Sequence, residues 1–256
     1  MRRRVLSQNF LREPGADAYL DMLPADRQIL TIEVGAGEGV LTRRLAERFD
    51  RVLAYEIDTH MAAGLRARVK RFDNVRVLIG DFLTATPPEE PFQVVGNVPF
   101  ALTSQIVDWC LAARSITTAT IITQLEYARK RTGDYGRWSL LTVLTWPEFD
   151  WELRGRISRE QFRPVPRVDA GVLHITRRNV PLISRRTQKT YRKTVELGFT
   201  GVGGSLSASL RRAYPAARVA KAFRAAQVDP ATVVAFVTPA QWLDLFRALE
   251  SRGDAN

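Results

Sequence analysis

Thr31-Ile32-Glu33-Val34-Gly35-Ala36-Gly37-Glu38-Gly39 decides how this chain is read. Ile29, Leu30, Ile32 and Val34 form the short apolar run of a strand covered on both faces. Glycines at alternate positions then let the backbone turn tightly and approach a ligand without a Cβ in the way. Val40, Leu41, Leu45 and Phe49, interleaved with Arg43, Arg44, Glu47 and Arg48, have the spacing of a helix with one buried stripe. Strand, glycine loop and helix together make a nucleotide-type site. The dinucleotide fingerprint is G-x-G-x-x-G, and here the third glycine comes one position early, with Val40 in the fingerprint slot.

Three further strands end in functional residues. Arg51 to Asp58 is a second strand ending in a carboxylate, placed where such folds hold both hydroxyls of a ribose, and Val75 to Asp81 finishes in an acid suited to an exocyclic amine. Phe92 to Phe100 finishes in the polar and aromatic cluster Asn97-Val98-Pro99-Phe100. In an open α/β sheet, ligands bind at the carboxyl ends of the strands. Taken alone, Asn97 to Phe100 is an ordinary Asn-x-Pro turn. The glycine loop, Glu56 and Asp81 at their spacings make it a candidate site.

The chain resembles the erythromycin-resistance family of rRNA adenine-N6 methyltransferases and, more distantly, the small-subunit rRNA adenine dimethyltransferases. The resemblance rests on Ser7-Gln8-Asn9-Phe10-Leu11, Glu33 to Gly39, Tyr55 to Asp58, Gly80-Asp81-Phe82, Asn97 to Phe100 and Phe162-Arg163-Pro164-Val165-Pro166, in family order over nearly the whole chain. It implies a Rossmann-like α/β sheet that binds S-adenosylmethionine, ends in an antiparallel edge hairpin and carries a small all-α C-terminal domain. Cofactor contacts are implied at Asn9, Leu11, Gly35, Gly37, Glu56, Ile57, Asp81, Phe82 and Asn97. Catalysis falls to Asn97, Val98, Pro99 and Phe100, with Phe162 closing on the opposite face of the base. The implied substrate is an adenine in the peptidyl-transferase region of 23S rRNA, modified before subunit assembly by a monomer, with macrolide, lincosamide and streptogramin B resistance as the outcome. Many relatives carry tyrosine where Phe100 stands, so any role of that hydroxyl is absent here.

At 256 residues there is room for a large domain and a small one. The expected division is a catalytic domain over 1–177 and a helical RNA-binding domain over 178–256. From Arg178 onward 13 Lys and Arg face 5 Asp and Glu, so eight of the eleven net positive charges lie in that last part. This favours a polyanionic partner. Candidate phosphate contacts are Arg2, Arg3, Arg4, Arg185, Arg186, Lys189, Arg192, Lys193, Arg211 and Arg212.

With one cysteine, Cys110, no disulfide framework is possible, and with His60 and His174 the only histidines no metal-ligand spacing exists. No apolar run reaches the ~20 residues of a membrane span, and Arg2-Arg3-Arg4 is not followed by a signal-peptide core. A cytoplasmic protein is expected. The pattern predicts helices near 40–49, 59–70, 101–113 and 139–145, then 187–197, 206–213, 216–227, 230–237 and 239–249. Asp229-Pro230 and Thr238-Pro239 read as helix starts. The rivals are a small-subunit (16S) dimethyltransferase, a catalytically idle RNA-binding descendant, a nicotinamide oxidoreductase and a DNA adenine methyltransferase. Asn-Val-Pro-Phe in place of Asn-Leu-Pro-Tyr and the short tail favour the resistance branch.

Overall fold

The computed structural model describes residues 9–251. The chain divides into two compact units: residues up to Ala128 with Glu152–Arg177, and Arg129–Trp151 with the residues from Arg178 onward. Residues 129–151, expected in the first domain, therefore group with the helical one.

The first unit is built on strands β2 (Leu30–Val34), β3 (Val52–Glu56), β4 (Val75–Ile79), β5 (Phe92–Asn97), β6 (Ile116–Gln124), β7 (Phe149–Ile157) and β9 (Ala170–Arg177). The first part of β7 belongs to the second unit. Their order is β4-β3-β2-β5-β6-β9-β7. The pairs from β4 to β6 are parallel, and β9 runs antiparallel to β6. From β2 the chain winds outward through β3 and β4, then returns to start β5 on the other side of β2. The switch point, where a crevice opens in such sheets, thus lies between the ends of β2 and β5, where the glycine loop and Asn97 stand.

Helices α1 (Glu13–Leu20), α2 (Val40–Arg48), α3 (Thr59–Val69) and α4 (Thr103–Ala112) cover the sheet. Tyr19, Leu45 and Phe49 are wholly buried in one core cluster. A second cluster joins Ala62, Leu65 and Val69 of α3 to Ala54 and Val77. Asp58 caps α3 by accepting from the N–H groups of His60 and Met61, at 2.9 and 3.1 Å, the helix-start role its place in the sequence suggests. Two residues that sequence alone leaves as a frayed terminus, β1 (Phe10–Leu11), pair antiparallel with β8 (Phe162–Arg163), Leu11 opposite Phe162.

In the second unit α6 (Leu140–Thr145), α7 (Arg185–Phe199), α8 (Leu206–Leu210), α9 (Ala216–Ala225) and α10 (Pro239–Glu250) enclose a core around Trp242, Tyr191 and Phe223. Thr238 and Gln241 form a reciprocal capping box at the start of α10. One helix expectation fails, and one helix forms that was not expected. Asp229-Pro230 opens a turn, its side chain accepting from Ala231 N–H at 2.7 Å and its carbonyl from Thr232 N–H at 2.9 Å. The β-branched run Thr232-Val233-Val234 then disfavours a helix, and only a 3-10 turn forms at Val234–Phe236. The unexpected helix is α5 (Leu125–Thr132), which spans the division between the units and buries only Ala128. With so little apolar stripe to show, its one sequence signal is a run of helix formers.

Candidate active site

Gly35, Gly37 and Gly39 all have left-handed backbone, with φ of +73°, +55° and +80°. The loop is held from below. The N–H groups of Gly35 and Ala36 both donate to the Tyr55 carbonyl at 3.0 Å. Gly37 N–H donates to Glu56 Oε2 at 2.7 Å, and Asp58 N–H to Oε1 at 2.8 Å. A Cβ on Gly37 would sit 3.3 Å from the Phe10 ring, so with any other residue the arm would have to shift by a few tenths of an ångström to keep its packing on the loop.

Above this loop lies a cleft of about 280 Å³. Its lining includes Asn9, Gly35, Gly37, Glu56, Ile57, Asp81, Phe82 and Asn97 through Phe100, most of the expected residues. Phe82 is wedged edge-on against Tyr55 at 5.5 Å and tilted against Trp109 at 4.3 Å. Asp81 stands exposed, with Oδ1 held by Leu83 N–H at 2.9 Å. Ile57 is 50 % exposed at the cleft, a place where apolar surface serves a ligand better than solvent.

Asn97 is positioned by the last bend of β5. A Cβ on Gly96 would lie 2.6 Å from the Val34 carbonyl oxygen, so only glycine lets β5 pass β2 this closely. Gly96 N–H donates to the Tyr19 hydroxyl at 3.0 Å, and that hydroxyl donates to the Thr120 carbonyl at 2.5 Å. Tyr19 is fully buried, and burial pushes its hydroxyl pKa far above the usual phenol range. Beyond this clamp the Asn97 side chain donates from Nδ2 to the Asn9 carbonyl at 2.6 Å. A carbonyl only accepts, so this contact fixes the amide's orientation and turns Oδ1 away as an acceptor. The Pro99 carbonyl accepts from Leu102 N–H at 2.8 Å, which holds its direction and leaves a second lone pair.

Two expected site residues stand elsewhere. Phe162 is wholly buried and Leu11 6 % exposed, and both belong to the core with Ile157 and Val172 rather than to the cleft lining. The β1–β8 pairing turns them inward, so Phe162 has no open face for a base in this conformation. Arg185, Arg186, Lys189, Arg192, Lys193, Arg211 and Arg212 are all exposed, and Arg192 stands 3.9 Å from Glu196. Arg2, Arg3 and Arg4 lie outside the described residues. Among the described residues no group of His, Cys, Asp and Glu could hold a metal, and no helix is long and apolar enough to cross a membrane.

Sequence reasoning missed Tyr19, which reads as one apolar position of α1, and Gln105, which lines the cleft from the first turn of α4. Glu33, at the base of the glycine loop, has a distinct environment. It is 1 % exposed and its Oε2 has no hydrogen-bond partner among the described residues. Burial raises its carboxyl pKa to about 7, against the pull of the Thr42 hydroxyl, and the Glu56 charge adds to the rise.

Residues 2–251 match the model of the ribosomal RNA adenine dimethylase family. The chain belongs to that family. An rRNA adenine N-6-methyltransferase of Streptomyces fradiae is 55 % identical over 96 % of this chain and 78 % of its own length. The mycinamicin-resistance protein MyrB of Micromonospora griseorubida is 33 % identical over 98 % of this chain and 80 % of its own length. Among solved structures, the 23S rRNA methyltransferase ErmE shares 49 % identity and a TM-score of 0.91, covering 95 % of this chain and 100 % of that one. A dimethyladenosine transferase from Plasmodium falciparum, 17 % identical over 92 % of this chain and 95 % of its own, shares the fold with a TM-score of 0.73. This family member is thus an rRNA adenine methyltransferase, and its cleft is the place to look for the chemistry.

Proposed function

We propose that the chain transfers a methyl group from S-adenosylmethionine to N6 of an adenine in 23S rRNA, and that the modification confers resistance to macrolide, lincosamide and streptogramin B antibiotics. The cleft suits that donor. A carboxylate offers about four lone-pair sites, and the two backbone N–H groups on Glu56 leave two for ribose hydroxyls. Ile57 and Phe82 offer apolar contact to a purine, and Asp81 a hydrogen-bond acceptor for its amine. When bound, S-adenosylmethionine supplies an electrophilic methyl on its sulfonium.

The observation that carries the reading is Asn97, whose amide nitrogen is committed to Asn9 and whose Oδ1 is thereby kept as an acceptor. Adenine N6 is a poor nucleophile because its lone pair is delocalised into the ring. Asn97 Oδ1 and the Val98 or Pro99 carbonyl accept its two hydrogens, favour the pyramidal amine and aim the freed lone pair at the methyl. This is positional and electrostatic catalysis. Proline fixes φ and so holds the carbonyls rigid. As the N–C bond forms the methyl–sulfur bond breaks, its electron pair stays on sulfur so that neutral S-adenosylhomocysteine leaves, and one N6 proton passes to water, so no strong base is required. The Phe100 ring is the face on which an extruded base stacks. In the second unit the exposed cations of α7, with Arg211 and Arg212, hold RNA phosphates, making the helical unit the RNA-binding part.

The resistance branch is favoured over the small-subunit one by identity. A small-subunit methyltransferase A from Streptococcus equi is 29 % identical over 77 % of this chain, well below the Streptomyces fradiae protein. Labelled methyl transfer to deproteinised 23S and 16S rRNA, followed by mapping of the modified nucleoside, tests the proposal. Incorporation at one adenine N6 of 23S rRNA is expected. Incorporation into 16S rRNA alone, or into neither, would overturn it.

A further inference from the structure

The second unit also carries a surface in which exposed aromatic rings stand beside cations. Between α5 and α6, Tyr135 is 51 % exposed, and at the turn after α9 Phe236 is 45 % exposed. Each ring carries an arginine: Arg129 Cζ lies 5.2 Å from the Tyr135 centroid, and Arg137 Cζ 5.2 Å from that of Phe236. The two segments are tied by a hydrogen bond from Trp138 N–H to the Ala235 carbonyl at 2.7 Å. Arg129 also donates to the Tyr135 hydroxyl at 2.7 Å and pairs with Asp134 at 2.9 Å, so this part of the platform is ordered before any ligand arrives. The unit does not need these rings for its core, which Trp242, Tyr191, Phe223 and Phe246 already fill.

We infer that this face, Arg129 to Arg137 with Phe236, docks unpaired nucleotides of the RNA substrate. The inference rests on the RNA reading above and deepens it. An exposed ring offers a flat face on which a base can stack, and a guanidinium beside it adds a cationic plane to that stack. Lys130, Arg131 and Arg137 beside Asp134 make the local charge positive, which suits the phosphates flanking such a base. In a duplex both faces of each base are covered by its neighbours, so the rings recognise single-stranded nucleotides. The exposed side of α7 differs: among the described residues it offers Arg185, Arg186, Lys189, Arg192 and Lys193 with no exposed ring among them, a surface for phosphates alone.

The test uses the whole chain and a fragment of 23S rRNA that contains the target adenine in a loop, with a fully paired RNA of equal length as control. Phe236→Leu and Tyr135→Leu keep apolar bulk and remove the flat ring. Each is expected to weaken binding of the looped RNA about tenfold while leaving its salt dependence, the affinity for paired RNA and the affinity for S-adenosylhomocysteine unchanged. Phe236→Tyr should bind as wild type. Unchanged affinity in both leucine variants, or an equal loss for paired RNA, overturns the inference. In case a leucine variant misfolds, photocrosslinking of 4-thiouridine-substituted RNA to the wild-type chain gives an independent answer: adducts on Tyr135 or Phe236 support the inference, and adducts confined to other surfaces overturn it. Burial of the rings against a second copy, seen as a dimer that Phe236→Leu dissolves, would overturn it as well. If the wild-type chain neither binds nor methylates the RNA, the underlying function fails; if it does both and the ring variants match it, only this surface fails.

Discussion

Tyr19→Phe removes one oxygen and leaves the ring in place. That oxygen accepts the Gly96 N–H at 3.0 Å and donates to the Thr120 carbonyl at 2.5 Å, all within the core. Its loss strands a buried N–H and removes a donor from a buried carbonyl. At about 1–3 kcal/mol for a buried group left without its partner, and less for the carbonyl if other lone-pair contacts persist, the variant should lose about 2–4 kcal/mol of stability. The second consequence is catalytic. Gly96 precedes Asn97, and its N–H contact fixes where the strand bends, so freeing it lets the Asn97 amide drift. Tyr19 therefore acts as a positioning residue. Urea denaturation would measure the first effect, and steady-state methyl transfer to 23S rRNA the second. The expected kinetic signature is a fall in kcat of about 10–100-fold, a loss of about 1.4–3 kcal/mol in transition-state binding, with KM for S-adenosylmethionine unchanged. A variant that is destabilised but turns over at the wild-type rate would refute the positioning argument. One with unchanged stability would refute the hydrogen-bond assignment.

Three other perturbations follow from the same geometry. Asn97→Asp cannot donate to the Asn9 carbonyl while ionised and places a carboxylate 2.6 Å from it; turnover should fall at least about 100-fold, as for other lost transition-state donors and acceptors, and normal turnover would contradict the assigned orientation. Gly37→Ala must adopt left-handed backbone and press its Cβ on Phe10 at 3.3 Å, so S-adenosylhomocysteine affinity measured by calorimetry should weaken about tenfold or more, given about 1–2 kcal/mol for the backbone alone. Glu33 has its folded pKa raised from 4.5 to about 7. The folded state thus binds the proton more tightly, and its contribution to stability is present at low pH and lost as pH rises from about 4.5 through about 7, by about 3 kcal/mol at most. Stability measured against pH should show wild type losing ground to Glu33→Gln over that window, and parallel curves would rule the buried protonated carboxyl out.

The fold was legible in the sequence wherever a strand ended in chemistry. The glycine loop, Glu56, Asp81 and Asn97 all read as lying at one sheet edge from their places at the ends of successive strands, because parallel α/β sheets put every carboxyl end on the same side. Residues whose partners lie far along the chain were not legible. Tyr19 bonds to Gly96 and Thr120, 77 and 101 residues away, and nothing local distinguishes it from any apolar helix position. Phe162 was assigned to the base by motif, yet its pairing with β1 turns it into the core. Asp229-Pro230 carries a sound cap, but a β-branched run after it decides against the helix. Tyr135 and Phe236 carry no local mark of exposure, since an exposed ring and a buried one have the same sequence signature.

The most direct test of the central claim is a crystal structure of the chain with S-adenosylhomocysteine. The ribose hydroxyls are expected on Glu56, the thioether sulfur beside the glycine loop, and Asn97 Oδ1 facing the sulfur with Nδ2 still on the Asn9 carbonyl. A ligand bound away from the loop, or Asn97 turned out of the cleft, would contradict the account.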